Sequence, residues 1–350
     1  MSELIQGTER QTALHEWLLS LPGELALNPG QMTAASSDAS FRRYWRINSS
    51  HDTLIVMDAP PPQENCQPFM AVTRRLASAG VTVPEIIACD LEQGFMLLTD
   101  LGTETYYDAI QTRLPDATLQ TYYRQALDML VKLQQADASD LDRFDASRLR
   151  SELTLFEQWF VKEHHQSELT TLESKDLEPI FDALCAGMAD EPAVLVHRDF
   201  HSPNLMVCGN KRGLVNPGVL DYQDAVLGPI SYDIASLVFD ARTTWQEPQQ
   251  LDWMIRYWDK ARQAGLPVPE DFAVFHQQCE FTSLQRNLRI LGVFARLHHR
   301  DGKSHYLAHL PRVLQYVRQV AGRYQRFAPL ARLLDRLQGI KPDVSLSFAP

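Results

Sequence analysis

Apolar positions recur at helical spacing over residues 8–21, where Leu14, Trp17, Leu18 and Leu21 form one stripe. Between 41 and 58 the pattern shortens to two strands, 41–47 and 53–57, joined by the polar turn Asn48-Ser49-Ser50-His51-Asp52. Pro60-Pro61-Pro62 stops the second strand. A helix is predicted over 64–79, with Phe69, Val72 and Leu76 on one side and Gly80 as its stop. Strands follow at 85–89 and 95–99. Past Gly102 the period lengthens. Leu119, Tyr123, Ala126, Leu130 and Leu133 mark a helix over 117–136, and Leu149, Leu153, Phe156 and Phe160 mark another over 146–164. Short strands interrupt at 194–197, 205–208 and 218–221, and from 230 the chain is again mostly helical. The pattern holds no internal repeat. It predicts an α+β protein of two lobes: a small β-rich N-lobe over 1–99 and a larger, mostly helical C-lobe over 100–350.

Composition narrows the function classes. The 350 residues carry 33 Lys and Arg against 44 Asp and Glu, a formal charge of −11. That balance argues against nucleic-acid binding, which draws on basic surface. The five cysteines are scattered, with no C-x-x-C pair, so a zinc cluster is not expected and a reducing cytoplasm is. No apolar run is long enough for a membrane span, and residues 1–10 lack the apolar core of a signal peptide.

The chemistry concentrates in His197-Arg198-Asp199-Phe200-His201-Ser202-Pro203-Asn204, which fits the pattern H-R-D-x-x-x-x-N. Phosphoryl transfer needs a carboxylate to take the acceptor hydroxyl's proton and hard oxygens to hold magnesium. Asp199 suits the first task. Asn204 suits the second, with Asp221 at the end of the apolar run Val219-Leu220. Singly, each residue is an ordinary loop polar group. Their joint spacing between short strands is what points to a kinase. His197 and Asp233 are expected to brace the loop rather than to react.

These stretches resemble the aminoglycoside phosphotransferase family, a branch of the protein-kinase-like fold. The resemblance rests on 197–204, on Leu220-Asp221-Tyr222-Gln223-Asp224-Ala225 and on Tyr232-Asp233-Ile234-Ala235. Residues 38–44, 54–61 and 285–296 are similar to one subgroup, the bacterial anomeric kinases of N-acetylmuramate and N-acetylglucosamine. The resemblance implies ATP and Mg²⁺ as cofactors, Asp199 as base, Asn204 and Asp221 as metal ligands, and a sugar 1-phosphate made in cell-wall recycling. It implies a hinge at Asp100 and Leu101 whose backbone meets adenine. The partner it implies is a small sugar, with no nucleic acid, membrane or obligate protein partner. For the acceptor, His201, Asp224, Arg286 and Arg289 are the candidates, the two arginines because guanidinium grips a carboxylate.

Two departures stand out. There is no G-x-G-x-x-G. The loop Ala35-Ser36-Ser37-Asp38-Ala39-Ser40 would have to approach the phosphates, through Ser37, Asp38 and Ser40. Nor is there a lysine before Lys132, and Met57 sits where the phosphate-binding strand lysine is expected. Arg42, Arg43 and Arg46 are the nearby cations, and Arg43 is counted with the nucleotide residues. Alternation puts Arg42 and Arg46 on one strand face and Arg43 on the other. Glu64 falls where the missing lysine's partner carboxylate would sit. The rival readings are a kinase of another small hydroxyl compound (an aminoglycoside, choline or homoserine) and a non-catalytic pseudokinase. A metal hydrolase is a poor fit, because His164-His165 and His298-His299 lack H-x-x-x-H spacing.

Overall fold

A computed structural model describes residues 2–36, 41–61, 63–208 and 213–340. In chain order it opens with helix α1 (Ser2–Ser20), longer than the apolar stripe predicts because its first turns carry no periodic apolar residues. Strands β1 (Thr33–Ser36), β2 (Arg43–Asn48) and β3 (Thr53–Asp58) precede helix α2 (Cys66–Ser78), then β4 (Ile86–Asp90), β5 (Phe95–Thr99) and the short α3 (Tyr106–Gln111). Helices α4 (Asp116–Gln134) and α5 (Ala146–Leu155) follow, and α5 runs on as a π-helical segment, Phe156–His164. Next come α6 (Thr171–Ala189), β6 (Ala193–Val196), β7 (Leu205–Met206), β8 (Gly218–Val219) and β9 (Val226–Pro229). The chain ends in α7 (Tyr232–Val238), α8 (Glu247–Gln263), α9 (Phe272–His299), α10 (Leu310–Arg323) and α11 (Ala328–Leu337).

Two compact units emerge. The first is 1–114 with 203–224, and the second is 115–202 with 225–350. The segment carrying Asn204 and Asp221 therefore belongs to the β-rich unit, although it follows Asp199 in the chain.

In the first unit the sheet order is β1-β2-β3-β5-β4, antiparallel throughout. Period-two alternation gives it two faces. Ile47, Leu54, Val56, Phe95 and Leu97 bury one face against Leu14, Trp17 and Leu18 of α1. The opposite face carries Tyr44 and Met57, which stand opposite each other in the β2–β3 register. Asn65 caps α2 by accepting from the Gln67 amide, so the helix starts two residues later than predicted and Glu64 lies just outside it. Strands β7 and β8 pair as a short hairpin. Their Met206 joins Leu101, Cys208, Leu214 and Leu220 in a small cluster.

In the second unit β6 pairs with β9. Its core runs from Leu149, Leu153 and Phe156 through Phe181 and Leu184 to Leu284, Leu288 and Leu291. Gly292 lets α9 approach the α5 backbone closely. A Cβ there would fall 2.3 Å from the Leu155 carbonyl, at the point where the π-helical turn begins.

Candidate active site

In the second unit, the buried strand β6 delivers His197, Arg198 and Asp199 to its C-terminal end. Asp233, fully buried in the first turn of α7, accepts from the backbone N–H of His197 at 2.7 Å and of Arg198 at 3.0 Å. His197 Nδ1 in turn accepts from the Asp199 N–H at 3.2 Å. Both residues brace the loop, as the sequence predicts. The braced backbone holds Arg198 at φ +76°, the left-handed region that residues other than glycine rarely adopt. Arg198 itself donates to Glu152 at 2.6 Å and lies over the Phe144 ring.

Burial would raise the Asp199 carboxyl, but the charge of Arg289, then that of His201 where acid protonates it, and that of Arg286 outweigh it and hold the group below the ordinary carboxylate range. Asp199 is thus a carboxylate at neutral pH. Burial, followed by the charge of Arg242, pushes the His201 imidazole down, so it is neutral there. Its backbone N–H donates to the Asp199 carbonyl at 3.0 Å. Arg289 reaches Glu152 Oε2 at 3.4 Å and lies within electrostatic range of Asp199. Arg286 has a different place. It is 4% exposed and donates to the Arg198 carbonyl at 3.0 Å and to Ser236 Oγ at 2.6 Å. It ties α9 and α7 to the loop. Glu280 and Asn287 of α9 are buried with it, a polar layer inside the unit.

Sequence reasoning missed Asp240. This buried carboxylate follows α7, accepts from the Ser202 N–H at 3.1 Å and also receives the Ser202 hydroxyl. The signal was present. An apolar run, Leu237-Val238-Phe239, ends in an aspartate, the same pattern that singled out Asp221.

In the first unit the β7–β8 hairpin brings Asn204 and Asp221 together. The Leu220 N–H donates to the Asn204 carbonyl at 3.0 Å, and Asn204 Nδ2 stands 3.5 Å from Asp221 Oδ2. Gln223 donates to the other Asp221 oxygen at 2.9 Å. Asp221 is exposed and sits at φ +64°. Tyr222 behind it stacks on Phe69, ring centroids 5.2 Å apart, and shares a 2.8 Å hydrogen bond with Thr73 of α2. The two polar side chains fit magnesium: both can offer hard oxygen, and Mg²⁺ commonly takes only one or two carboxylates beside substrate phosphates. Among the described residues no group of three or more His, Cys, Asp or Glu forms a self-sufficient metal cage. Asp224 is exposed at the end of this unit.

In the segment expected to act as a hinge, the Asp100 carboxylate accepts from Arg46, from Thr53 Oγ1 at 2.6 Å and from the Gly102 N–H at 3.0 Å. Burial would raise its pKa, but these bonds outweigh it and keep the carboxylate ionised. Arg46 also donates to the Gly102 carbonyl at 2.8 Å. These bonds hold the Asp100–Gly102 segment in shape, and Leu101 within it is buried. Ser37, Asp38 and Ser40 lie outside the described residues. Arg43 is exposed, pairs in register with Asp58 and falls on the sheet face away from Met57. Arg42 lies on the Met57 face and bonds Glu64.

Comparison with known proteins identifies the family and the fold. The profile of the phosphotransferase enzyme family matches residues 31–269. The N-acetylmuramate/N-acetylglucosamine kinase of Pseudomonas putida is 43% identical over 310 residues, 88% of this chain and 89% of that protein. A protein of the same name from Neisseria meningitidis serogroup B is 40% identical over 333 residues, 95% and 97% of the two chains. Among solved structures, a choline/ethanolamine kinase family protein from Mesorhizobium loti aligns with a TM-score of 0.61 at 14% identity, over 92% of this chain and 99% of that one. An ADP-bound aminoglycoside phosphotransferase aligns with a TM-score of 0.57 at 15% identity, over 88% and 98%. At such identities the structural likeness shows the fold, which is protein-kinase-like. The family profile, together with relatives at 40% identity or better along most of the sequence, places the chain in the phosphotransferase enzyme family.

Proposed function

We propose that the protein is an ATP- and Mg²⁺-dependent kinase that phosphorylates the anomeric hydroxyl of N-acetylmuramate and N-acetylglucosamine, making sugar 1-phosphates for cell-wall recycling. The observation that carries this reading is Asp199. It is an ionised carboxylate on a loop fixed from behind by Asp233 and His197, in a chain 43% identical to a kinase of that name.

In this reading residues 1–99 serve the nucleotide and 100–350 the catalysis and the acceptor. The Asp100–Leu101 backbone meets adenine. Asn204 and Asp221 hold Mg²⁺, which neutralises charge on the phosphates as they react. Asp199 orients the sugar hydroxyl and accepts its proton as the oxygen bonds the γ-phosphorus and the bond to the ADP oxygen breaks. An anomeric hydroxyl is more acidic than an ordinary alcohol, which suits a base whose pKa is held low. His201, neutral beside Asp199, donates or accepts at the sugar without adding charge. Arg289, near Asp199, complements an anionic acceptor. Arg286 serves through the loop it holds, and Asp224 stands at the metal side. ATP is a cytoplasmic donor, so the reaction belongs to the cytoplasm.

The test is ADP release with Mg-ATP against N-acetylmuramate, N-acetylglucosamine, glucose, choline and kanamycin, beside Asp199→Asn. Turnover on the two N-acetyl sugars, lost in the variant, is the expected result, and ³¹P NMR then locates the phosphate. Turnover only on choline or kanamycin would replace the acceptor. Absence of turnover on every acceptor would refute the kinase reading.

A further inference from the structure

No lysine precedes Lys132, and Met57, where a phosphate-binding lysine would stand, is fully buried and uncharged. A site for a nucleoside triphosphate still needs a cation beside the phosphates. The structure separates the three nearby arginines. Arg46 is committed to Asp100 and the Gly102 carbonyl, bracing the hinge. Arg43 is exposed on the other sheet face. Arg42 lies one residue before β2. Alternation puts it on the face of Tyr44, and Tyr44 stands opposite Met57 in the register. Its Nε donates to Glu64 Oε2 at 3.0 Å, and the two side chains are only 10% and 15% exposed.

We propose that Arg42, held by Glu64, replaces the strand lysine as the protein's contact to the phosphates of the bound nucleotide. This rests on the kinase reading above. A guanidinium has five N–H donors in a planar fork, so one edge can hold a carboxylate while another grips a phosphate. Glu64 is itself fixed: its N–H donates to the Pro60 carbonyl, and the α2 cap follows directly at Asn65. Helix α2 is bonded to Tyr222, the neighbour of Asp221. The arginine and the candidate metal carboxylate therefore belong to one compact unit, joined by α2. A buried ion pair does little for stability by itself, since desolvation offsets its attraction. An anionic ligand gives the pair a function that stability does not.

The experiment is calorimetric titration of the full-length protein with AMP and with a non-hydrolysable ATP analogue, in Mg²⁺ and without acceptor, for wild type, Arg42→Gln, Arg42→Lys and Glu64→Gln. The readout is the ratio of the two affinities, which a general loss of folding does not change. Arg42→Gln is expected to lower the ratio tenfold or more by weakening the triphosphate alone. Arg42→Lys, which keeps the charge but not the fork, and Glu64→Gln, which frees the guanidinium, should fall between. An unchanged ratio in Arg42→Gln, or an equal loss for AMP and the analogue, would overturn the inference. If the wild type binds neither nucleotide, the kinase reading itself fails.

Discussion

Asp233 offers the most exacting test of how the candidate site is built. It is 0% exposed, and its two oxygens serve the N–H groups of His197 and Arg198, which sit immediately before Asp199. Asp233→Ala orphans both donors. Each buried orphan costs about 1–3 kcal/mol, so the lost contacts amount to roughly 2–6 kcal/mol. The wild-type carboxylate carries its own cost. Burial pushes its pKa up to about 6, against the attraction of His197 and the bonds it accepts. A folded value above the unfolded one means the native state binds more protons between the two. Wild-type stability is therefore fullest at low pH and falls as pH rises toward and through about 6. The gap from the ordinary aspartate value is worth about 3 kcal/mol. A neutral replacement lacks that slope. Asp233→Ala should be more destabilising at pH 5 than at pH 8, by about 1–1.5 kcal/mol in urea unfolding, because the rest of the effect is already lost between the unfolded pKa and pH 5. Asp233→Asn keeps one acceptor but turns an amide N–H₂ toward the second donor. It should show the same pH trend with a smaller loss at both values. Because the freed loop carries Asp199, turnover should drop by on the order of a hundredfold in Asp233→Ala while the ATP KM moves little. Destabilisation equal at the two pH values, or a variant with wild-type turnover, would refute the bracing argument.

Two further predictions concern packing. Gly292→Ala forces a Cβ to within 2.3 Å of the Leu155 backbone, so it should cost about 3 kcal/mol or more and lower soluble yield; Gly187→Ala, exposed in the last turn of α6 with nothing within 4 Å, should instead stabilise slightly, by about 0.5 kcal/mol, in urea unfolding. Thr73→Val leaves the buried Tyr222 hydroxyl without this partner and should cost about 1–2 kcal/mol, whereas Tyr222→Phe leaves Thr73 Oγ1 still donating to the Phe69 carbonyl and should cost about 0.5–1 kcal/mol; the double variant should cost less than their sum, and strict additivity would mean the α2–Tyr222 bond contributes nothing.

What the sequence reveals follows from the range of its signals. Stripes such as Leu119-Tyr123-Ala126-Leu130-Leu133 reach across one helix, and the structure places α4 within two residues of the expected ends. Strand β1, Thr33–Ser36, is built of small residues on the sheet edge, so it has no alternation to read. Helix α6 went unseen because Pro179 interrupts a stripe whose members, Leu177, Phe181, Leu184 and Met188, are otherwise regular. The pattern 197–204 singled out Asp199 and Asn204 as candidates because the spacing of such a motif is local. It could not find that Arg286, 88 residues beyond Arg198, is committed to the Arg198 carbonyl. Nor could it find that Glu64 meets an arginine rather than a lysine, because that pairing depends on the sheet register.

The backbone conformations at the candidate residues show how the rest of the fold supports them. Arg198 at φ +76° and Asp221 at φ +64° are non-glycine residues in the left-handed region, a conformation that costs about 1–3 kcal/mol and persists only when surroundings over-determine it. Each unit supplies its own support. In the second, Asp233 and Arg286 fix both the N–H and the carbonyl of Arg198. In the first, Leu220 is bonded to Asn204 on one side of Asp221, and Tyr222 is stacked on Phe69 and bonded to Thr73 on the other. Glycine at either position would relieve the strain but leave the chain freer in the unfolded and native states alike. Holding an L-residue there against its preference keeps the adjacent carboxylates, Asp199 and Asp221, in fixed directions. Phosphoryl transfer depends chiefly on positioning and charge rather than on covalent chemistry by the protein, so rigidity of this kind is where such a fold can contribute to rate.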